Sequence, residues 1–524
     1  MSTAKKFAGQ TAIYGISTIA GRVLSFFLTP LYTSTKAYAP GAYGVLTTMF
    51  SYVSVLNSVL AFGMETTFFR YLNKHPENKQ RVYNNAFASV AAVTILFLFC
   101  TLPFISHIAN FINIDHVEKH ISAHKTVGAT PEDFFKYTYL FLAIVVVDAW
   151  CAIPFVKLRA DGKPTRYGII KLASVLIFVG FNMIFIYVIP FWLTHNYMGA
   201  GWINSWYAPK WVGYVFISEL LSSVVTLLLL LPELLKIRFE LDKAMLLSMF
   251  TYSWPVLIAN LSYLVNENMD KILLGKLLTT NAEHEVAIYG ACAKIAVFLS
   301  VFINAFRLGA EPFFFNHAKN KNAGQTYARI MDYFVIAVCV IFVALVANIE
   351  IVKHWVTPAY WIGLRVVPPL LFGYVSLGIY MNLSIWYKLS DQTKYGLYIS
   401  GVGAILTIVL NVLFIPAYSY MASAWTSLIA YTVMMLLSYI WGQKNYPIPY
   451  NVKKNLAYII SSIVIVYCIT RINGNYSSIV QANLVHKAKY VFDKGFFIGE
   501  ALLLSYMLVA FYFERTNLKA IFKR

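Results

Sequence analysis

The chain has 524 residues, of which 59% are hydrophobic and only 12% are charged. Soluble domains usually carry about 25% charged residues, so this composition excludes a single water-soluble core and indicates an integral membrane protein. The net charge of +19 comes from basic residues scattered between apolar runs, which indicates loops facing anionic lipid headgroups rather than a nucleic-acid surface. The five cysteines form no close pair, so neither a disulfide framework nor a metal site is expected.

A helix that crosses a bilayer needs roughly 20 mostly apolar residues, and about fourteen runs of this kind follow one another along the chain. The first run is preceded by Lys5 and Lys6 and followed by no small-residue cleavage site, which indicates a retained helix rather than a signal peptide. In chain order the runs lie near residues 11–33, 42–62, 86–107, 134–154, 168–190, 211–232, 247–268, 286–308, 330–350, 363–387, 395–416, 418–441, 455–471 and 495–513. The sequence therefore predicts an all-α integral membrane protein with about fourteen transmembrane helices.

An even number of helices places both chain termini on the same side of the membrane. The loops after the even-numbered helices, together with the two ends of the chain, hold about 27 Lys and Arg residues, against about 13 on the opposite side. Cytoplasmic loops carry the excess of Lys and Arg in membrane proteins. We therefore expect a multi-pass protein of the cytoplasmic (inner) membrane with both termini in the cytoplasm.

An internal repeat relates two of the predicted helices. Residues 43–69 and 289–315 align without gaps with eight identities in 27 positions, and these include Gly63 with Gly309 and Glu65 with Glu311. Both copies run in the same direction across the membrane, so they are parallel repeats of the kind found in transporters. This predicts two six-helix lobes related by a parallel pseudo-two-fold axis, at residues 1–240 and 241–445. Two further helices and a cytoplasmic tail would follow at 446–524.

Several phrases of the sequence occur in the order and spacing of a known superfamily. They are "FFLTPLYT", "YGVLTTMFSY", "IPFVKLRADGKPTRYGIIKL", "YSWPVLIANLSYLVNENMDKILLGKLL" and "IYGACAKIAVFLSVFINAFRLGAEPFFFNHAKNKN". Over roughly residues 5–440 the chain resembles the multidrug/oligosaccharidyl-lipid/polysaccharide exporter superfamily, and within it the polysaccharide-transporter branch of Wzx-like flippases. The two additional C-terminal helices are similar to those of the lipid II flippase branch, where they are associated with a groove for the lipid tail.

This resemblance implies a non-enzymatic flippase that moves a polyprenyl-diphosphate-linked oligosaccharide, a polysaccharide or O-antigen precursor, across the membrane by alternating access. Its expected partners are that substrate, membrane lipids and glycan polymerase machinery, and it needs no cofactor beyond a coupling proton or sodium ion. A drug–cation antiporter of the same superfamily is the main alternative. A polyprenyl-dependent glycan enzyme is a second one, although the largest outer segments, near 108–133 and 472–494, contain no paired-carboxylate or metal-ligand motif.

Three cationic residues are candidates for contact with the substrate diphosphate. Arg22 lies near the middle of the first predicted helix, and Lys294 and Arg307 lie on the eighth. Charges inside a membrane are costly and commonly functional, and a guanidinium can bind phosphate through two hydrogen bonds. The structural alternatives are an ion pair with another helix for Arg22, a reach towards the headgroups for Lys294 and ordinary positive-inside placement for Arg307.

Two carboxylates, Asp148 and Glu219, are placed within predicted helices where they can bind a coupling proton or sodium ion. The structural alternative pairs them with Arg22 or with hydroxyl groups such as those of Ser218 and Ser222.

The repeated carboxylates Glu65 and Glu311 both fall at a predicted cytoplasmic helix end, before loops rich in Lys and Arg. We expect them to form matching ion pairs that latch the cytoplasmic face, with Gly63 and Gly309 allowing close packing there.

A further charged pair, Asp270 and Lys271, lies at the outer end of the seventh predicted helix, where it can close a gate towards the opposite lobe or form a solvated helix end. Adjacent residues on a helix do not face each other, so we expect no ion pair between these two.

Overall fold

The computed structural model describes residues 27–34, 37–38, 40–113, 130–238, 240–318, 320–390, 392–474 and 494–522, apart from some side chains within the helices at 282–317 and 494–522. The regular elements in these ranges are helices. By length and composition, 12 of the described helical segments can cross a membrane, and each corresponds to one predicted run. The run at 211–232 is a shorter helix, Gly213–Leu229, and the run at 11–33 lies mostly outside the described residues. The all-α membrane fold is thereby confirmed, and the count of fourteen stays a prediction.

The chain divides into two compact units, residues 1–287 and 288–524. The helices of the first unit are α1 (Thr29–Tyr32), α2 (Pro40–Ala61), α3 (Met64–Lys74), α4 (Lys79–Thr101), α5 (Ile105–Ile112), α6 (Pro131–Ala160), α7 (Pro164–Met183), α8 (Ile189–Thr194), α9 (Ala200–Trp206), α10 (Gly213–Leu229), α11 (Leu231–Leu234) and α12 (Lys243–Leu277). Helix α10 packs against α6 and α7, while α2 packs against α6 and α12. The predicted lobe boundaries at residues 240 and 445 stay predictions.

Helix α13 begins in the first unit and continues into the second unit. The helices of the second unit are α13 (Ala282–His317), α14 (Ala323–Ala347), α15 (Ile349–Val352), α16 (Val367–Leu383), α17 (Ile385–Leu389), α18 (Lys394–Tyr418), α19 (Tyr420–Asn445), α20 (Val452–Ile472) and α21 (Lys494–Phe522). Helices α16, α18 and α19 pack together around the buried rings of Trp386, Tyr387 and Tyr431. The two C-terminal helices, α20 and α21, pack on α14.

Helix α6 has both ends defined by its sequence. Thr130 caps its beginning: its hydroxyl accepts a hydrogen bond from the Asp133 amide, and the Asp133 carboxylate accepts one from the Thr130 amide. Gly162 follows its end with a φ of 66°, a conformation that glycine adopts without steric cost, and Pro164 then opens α7. The tight turn places α7 directly beside the end of α6.

Gly63 separates α2 from α3 and packs closely against α12. Its φ is 66°, and a Cβ at this position would lie 2.8 Å from the carbonyl oxygen of Ser253 and 3.1 Å from the amide nitrogen of Leu257. The expected close packing is therefore present at Gly63. In the second copy of the repeat, α13 continues unbroken through Gly309, whose surroundings lie outside the described side chains.

A buried carboxylate on α11, the short helix that follows α10, lies against the turn between α6 and α7. Glu233 is fully buried and lies 3.0 Å from the guanidinium of Arg166, 2.8 Å from the ammonium of Lys236 and 3.8 Å from that of Lys163. Burial alone would raise the pKa of the Glu233 carboxyl, but the hydrogen bond from Lys236 and the charges of Lys163 and Arg166 outweigh it and lower the pKa. The tyrosine hydroxyl of Tyr83 also donates to the Glu233 carbonyl oxygen, at 2.9 Å.

Candidate functional site

The first unit contains a polar cavity of about 340 Å³ between α2, α3, α6, α7 and α10. Five charged residues line it: Glu65, Asp148, Arg159, Lys171 and Glu219. Three of them were predicted as coupling or gating residues from the sequence, and the fold brings these three together. The cavity thus combines three carboxylates with two cations in a region bounded by membrane-spanning helices.

Asp148 on α6 is the most tightly held of the three carboxylates. The hydroxyl of Ser223 on α10 donates a 2.6 Å hydrogen bond to its Oδ1, and the amide of Asn57 on α2 donates a 3.1 Å bond to its Oδ2. Both oxygens therefore have a donor, and the carboxylate links three helices at the cavity wall. Hydrogen bonds to a carboxylate fix its orientation and stabilise its charge.

Glu219 shares a face of α10 with Ser223, because the two residues are four positions apart. Glu219 lines the cavity and forms no hydrogen bond with another described residue. The predicted alternative, a pairing of the carboxylates with the Ser218 or Ser222 hydroxyl, names the wrong serines. The Ser218 hydroxyl donates to the Tyr214 carbonyl at 2.7 Å, and that of Ser222 donates to the Ser174 carbonyl at 2.8 Å.

Glu65 lies in the first turn of α3 and faces the two cations across the cavity. Within the described part of the chain it forms no ion pair closer than 4.0 Å. Arg159 and Lys171 instead lie over aromatic rings: the Arg159 guanidinium is 5.2 Å from the centroid of Phe69, and the Lys171 ammonium is 4.1 Å from that of Phe155. The predicted latch through Glu65 stays a prediction.

Sequence reasoning did not identify Arg159 or Lys171 as site residues. A signal for Lys171 was present, because it interrupts the apolar run at 168–190, and a charge within such a run is a functional candidate. Arg159 carried a weaker signal, since it lies in the basic connection between α6 and α7, where positive-inside placement explains it equally well.

In the second unit, Arg307 lines a small pocket of about 20 Å³, enough space for about one water molecule. Lys388 on α17 and Asn382 on α16 line the same pocket. The side-chain nitrogen of Asn382 is buried there and has no hydrogen-bond partner among the described residues. None of the described residues that line this pocket is acidic. Its polar side-chain groups are the guanidinium of Arg307, the ammonium of Lys388 and the amide of Asn382. Such a group of donors is suited to an anion.

The other predicted substrate contacts are placed differently. Lys294 lies exposed on α13 and does not line the pocket of Arg307. Arg22 lies outside the described residues, as does the side chain of Glu311 on α13.

The prediction that Asp270 and Lys271 do not pair is wrong. The Lys271 ammonium lies 2.9 Å from Asp270 Oδ1, and it also donates to the Glu267 carbonyl oxygen at 2.7 Å. The rule for helix neighbours concerns the direction of the Cα–Cβ bonds, whereas the long lysine side chain folds back over its own helix. Asp270 is buried and Lys271 is partly buried, so this pair is not a solvated helix end.

No group of three or more His, Cys, Asp and Glu side chains in the described ranges is placed to hold a metal ion.

The helical fold and the charged cavity within it define a multi-pass membrane protein of the transporter class. Residues 170–314 match the family described as "Polysaccharide biosynthesis protein", and residues 255–413 match the family described as "MatE". These two matches support the expected resemblance to the multidrug/oligosaccharidyl-lipid/polysaccharide exporter superfamily and its polysaccharide-transporter branch. The families of this superfamily are transporters rather than enzymes. No curated protein sequence matches the chain.

Solved structures of the same fold cover most of the chain. One is "Lipid II flippase MurJ, inward closed conformation", with a TM-score of 0.69 and 13% identity over 97% of this chain and 100% of that one. Another is the inward-facing conformation of a multidrug resistance MATE family transporter, with a TM-score of 0.58 and 14% identity over 83% and 94% of the two chains. The outward-facing conformation of such a transporter matches with a TM-score of 0.52 and 14% identity over 84% and 95%.

Proposed function

We propose that this protein is a flippase that moves a polyprenyl-diphosphate-linked oligosaccharide, a precursor of a polysaccharide or O-antigen, from the cytoplasmic to the outer leaflet of the inner membrane. The family match to polysaccharide biosynthesis proteins and the fold of a lipid II flippase support this proposal. The substrate's diphosphate and sugars need a polar path, because an unpaired charge at the bilayer centre costs about 2.5–3.5 kcal/mol or more. The prenyl tail needs no such path and stays among the acyl chains.

The observation that carries the proposal is the pocket of Arg307, Lys388 and Asn382. Its described lining offers hydrogen-bond donors and contains no carboxylate, so it suits a phosphate group. In the proposed function Arg307 and Lys388 bind one oxygen of the diphosphate, which the small pocket can hold, and Lys294 and Arg22 contact the diphosphate at other stages of the passage. Outward movement of an anion from a cell that is negative inside is favoured by about 2.3 kcal/mol per charge at 100 mV.

The carboxylate cavity of the first unit serves ion coupling in this proposal. Asp148, Glu219 and Glu65 bind the coupling proton or sodium ion, and Arg159 and Lys171 keep the cavity close to electrical balance when the ion leaves. Asp270 and Lys271 act as one bound pair at the end of α12, in a gating role. The cytoplasmic position of both termini and a partnership with glycan polymerase machinery stay predictions.

Reconstitution in liposomes tests the proposal. A labelled polyprenyl-diphosphate sugar is placed in one leaflet, and its appearance in the other is measured with and without an imposed membrane potential. We expect protein-dependent movement that a potential accelerates, and a rate about tenfold lower in Arg307→Gln and in Lys388→Gln, since each loses a charge-assisted contact. Lys444→Gln, which removes an exposed cation from the end of α19 in the same unit, is the matched control and keeps the rate. Equal leaflet distributions with and without the protein would exclude the flippase.

A drug–cation antiporter is the second candidate, and the three carboxylates of the first-unit cavity favour it, as does the MatE family match. In the same liposomes, an organic cation exchanged for protons or sodium would identify this function. A flippase leaves such a cation where it is.

A further inference from the structure

A second large cavity lies in the other unit, apart from the pocket of Arg307. It measures about 350 Å³ and lies where the C-terminal helix α20 packs on α14. Gln325, Arg329, Asp332 and Tyr333 line it from α14, and Asn451 and Lys454 line it from the beginning of α20. None of these residues was a candidate in the sequence, and none takes part in the proposed transport path.

The charges around this cavity are arranged in two sets. Lys454 is bound by two carboxylates, because its ammonium lies 2.6 Å from Glu514 Oε1 on α21 and 3.5 Å from Asp332 Oδ2. Glu514 and Lys454 therefore largely cancel each other. Arg329 is exposed and forms no hydrogen bond or ion pair with another described residue. Among its described residues, the cavity is left with one free positive group, Arg329, and with one carboxylate, Asp332, that Lys454 satisfies in part.

Asp332 lacks a donor on one side. Its Oδ1 atom is buried and has no hydrogen-bond partner among the described residues, while Oδ2 faces Lys454. Buried carboxylate oxygens are nearly always hydrogen-bonded, so this atom calls for a donor from outside the described residues. A ligand that fits must bring a hydrogen-bond donor to Asp332 and a negative group to Arg329, and it must be close to neutral overall.

The position of the cavity fits a lipid headgroup. Arg329 lies in the second turn of α14 and Lys454 in the first turn of α20, so the cavity is near the ends of two membrane-spanning helices. The polar face of α14 that carries Arg329 and Asp332 becomes apolar deeper in the membrane, at Ile336 and then Val340, which follow Asp332 at intervals of four residues. A polar recess above an apolar helix face matches a headgroup above its acyl chain.

We propose that this cavity is a binding site for a zwitterionic phospholipid with a primary ammonium, of the phosphoethanolamine class. The phosphate binds Arg329, whose guanidinium offers two parallel hydrogen bonds, and the ammonium donates to Asp332 Oδ1. The bound lipid joins α14 to α20 and, through the Lys454–Glu514 pair, to α21. It thereby holds the two C-terminal helices against α14.

Lipid retention by the full-length protein tests this assignment without reference to transport. The protein is purified in detergent with equal amounts of phosphatidylethanolamine, phosphatidylcholine and phosphatidylglycerol, and retained lipids are counted by native mass spectrometry. We expect preferential retention of phosphatidylethanolamine, because the choline ammonium has no N–H to donate and the glycerol headgroup brings no cation. Arg329→Gln and Asp332→Asn each lower that retention about tenfold, and Lys444→Gln leaves it unchanged.

Two results would overturn the proposal. One is equal retention of the ethanolamine and choline lipids by the unmodified protein. The other is loss of retention in Arg329→Gln but not in Asp332→Asn, which would indicate a site for phosphate alone. Asp332→Asn keeps the size of the side chain, and Arg329→Gln shortens an exposed one. Folding is checked by the elution profile and unfolding temperature of each variant. A flippase assay that failed would leave these lipid counts valid, since they involve no movement between leaflets.

Discussion

Ser223 and Asp148, 75 positions apart in the chain, are joined by a 2.6 Å hydrogen bond in which the serine hydroxyl donates to the carboxylate. Asn57, on a third helix, donates to the other carboxylate oxygen at 3.1 Å. This arrangement ties α2, α6 and α10 to one charged group. In the proposed ion coupling, a change in the charge of Asp148 would alter the contact of three helices at once. Such coupling between charge and helix packing is what an ion-driven transporter requires.

Asp148→Asn is expected to uncouple transport from the ion gradient. The amide keeps the shape of the side chain but holds no charge, so it binds neither a proton nor a sodium ion in the same way. Gradient-driven flux in proteoliposomes should fall about tenfold or more, the effect of losing one charged contact of about 1.5–3 kcal/mol.

Ser223→Ala is the graded control for Asp148→Asn. It removes one of the two hydrogen bonds to Asp148 and leaves the charge, so we expect a smaller loss of flux that still responds to the gradient. An Asp148→Asn variant with full gradient-driven flux would show that this carboxylate is not the coupling group.

The helices of this protein could be predicted because apolar runs of about 20 residues are a strong signal in a membrane protein. The candidate carboxylates Asp148 and Glu219 were found for a similar reason, since a charge stands out in such a run. Their partners could not be found in this way. Asn57 is 91 residues from Asp148, and only the packing of α2 on α6 decides that the two meet.

Local rules also failed where side-chain length matters. Asp270 and Lys271 point in different directions at Cβ, and the lysine chain still returns to the carboxylate at 2.9 Å. For the serines, helical periodicity disfavours Ser218, which is adjacent to Glu219, but it does not choose between Ser222 and Ser223 at i+3 and i+4. The packed structure makes that choice, with Glu219 and Ser223 both on the cavity face.

The paired substitution Glu65→Gln and Glu311→Gln tests the predicted cytoplasmic latch. Glu65 faces the cations Arg159 and Lys171 in the cavity, and its neutral replacement removes that attraction. Exposed ion pairs contribute at most about 1 kcal/mol each, so we expect flux in the double variant to change by about two- to fivefold. Flux is measured in proteoliposomes for each single variant and for the double one. Unchanged flux in the double variant would remove the latch.

Gly63→Ala is expected to destabilise the protein by about 1–3 kcal/mol. The methyl group would lie 2.8 Å from the Ser253 carbonyl oxygen, at a backbone conformation with φ of 66° that alanine adopts poorly. Thermal unfolding in detergent measures the loss. Gly180→Ala is the matched control: it lies within α7 with no atom within 4 Å of the added methyl group, so it should be neutral or stabilise by up to about 1 kcal/mol. Equal unfolding temperatures for the two variants would contradict the packing described for Gly63.

Glu233→Gln is expected to lower stability in a manner that depends on pH. The carboxyl is fully buried among Lys163, Arg166 and Lys236, and its pKa in the folded protein lies below the ordinary value of about 4.3. The unfolded chain therefore takes up a proton first as the pH falls. The stabilisation by the ionised group is complete above about pH 5 and is lost as the pH falls through the folded-state pKa.

Unfolding temperatures of the original protein and of Glu233→Gln should therefore differ most at neutral pH and converge as the pH falls below the folded-state pKa of Glu233. At neutral pH the variant leaves three cations around an uncharged amide, which costs about 1–3 kcal/mol. Glu132→Gln is the control, because Glu132 forms only an exposed pair with Lys136 at 3.0 Å, and such pairs contribute about 0–1 kcal/mol at any pH. A difference for Glu233→Gln that stayed constant or grew in acid would mean that the three cations do not hold the carboxyl in its ionised form.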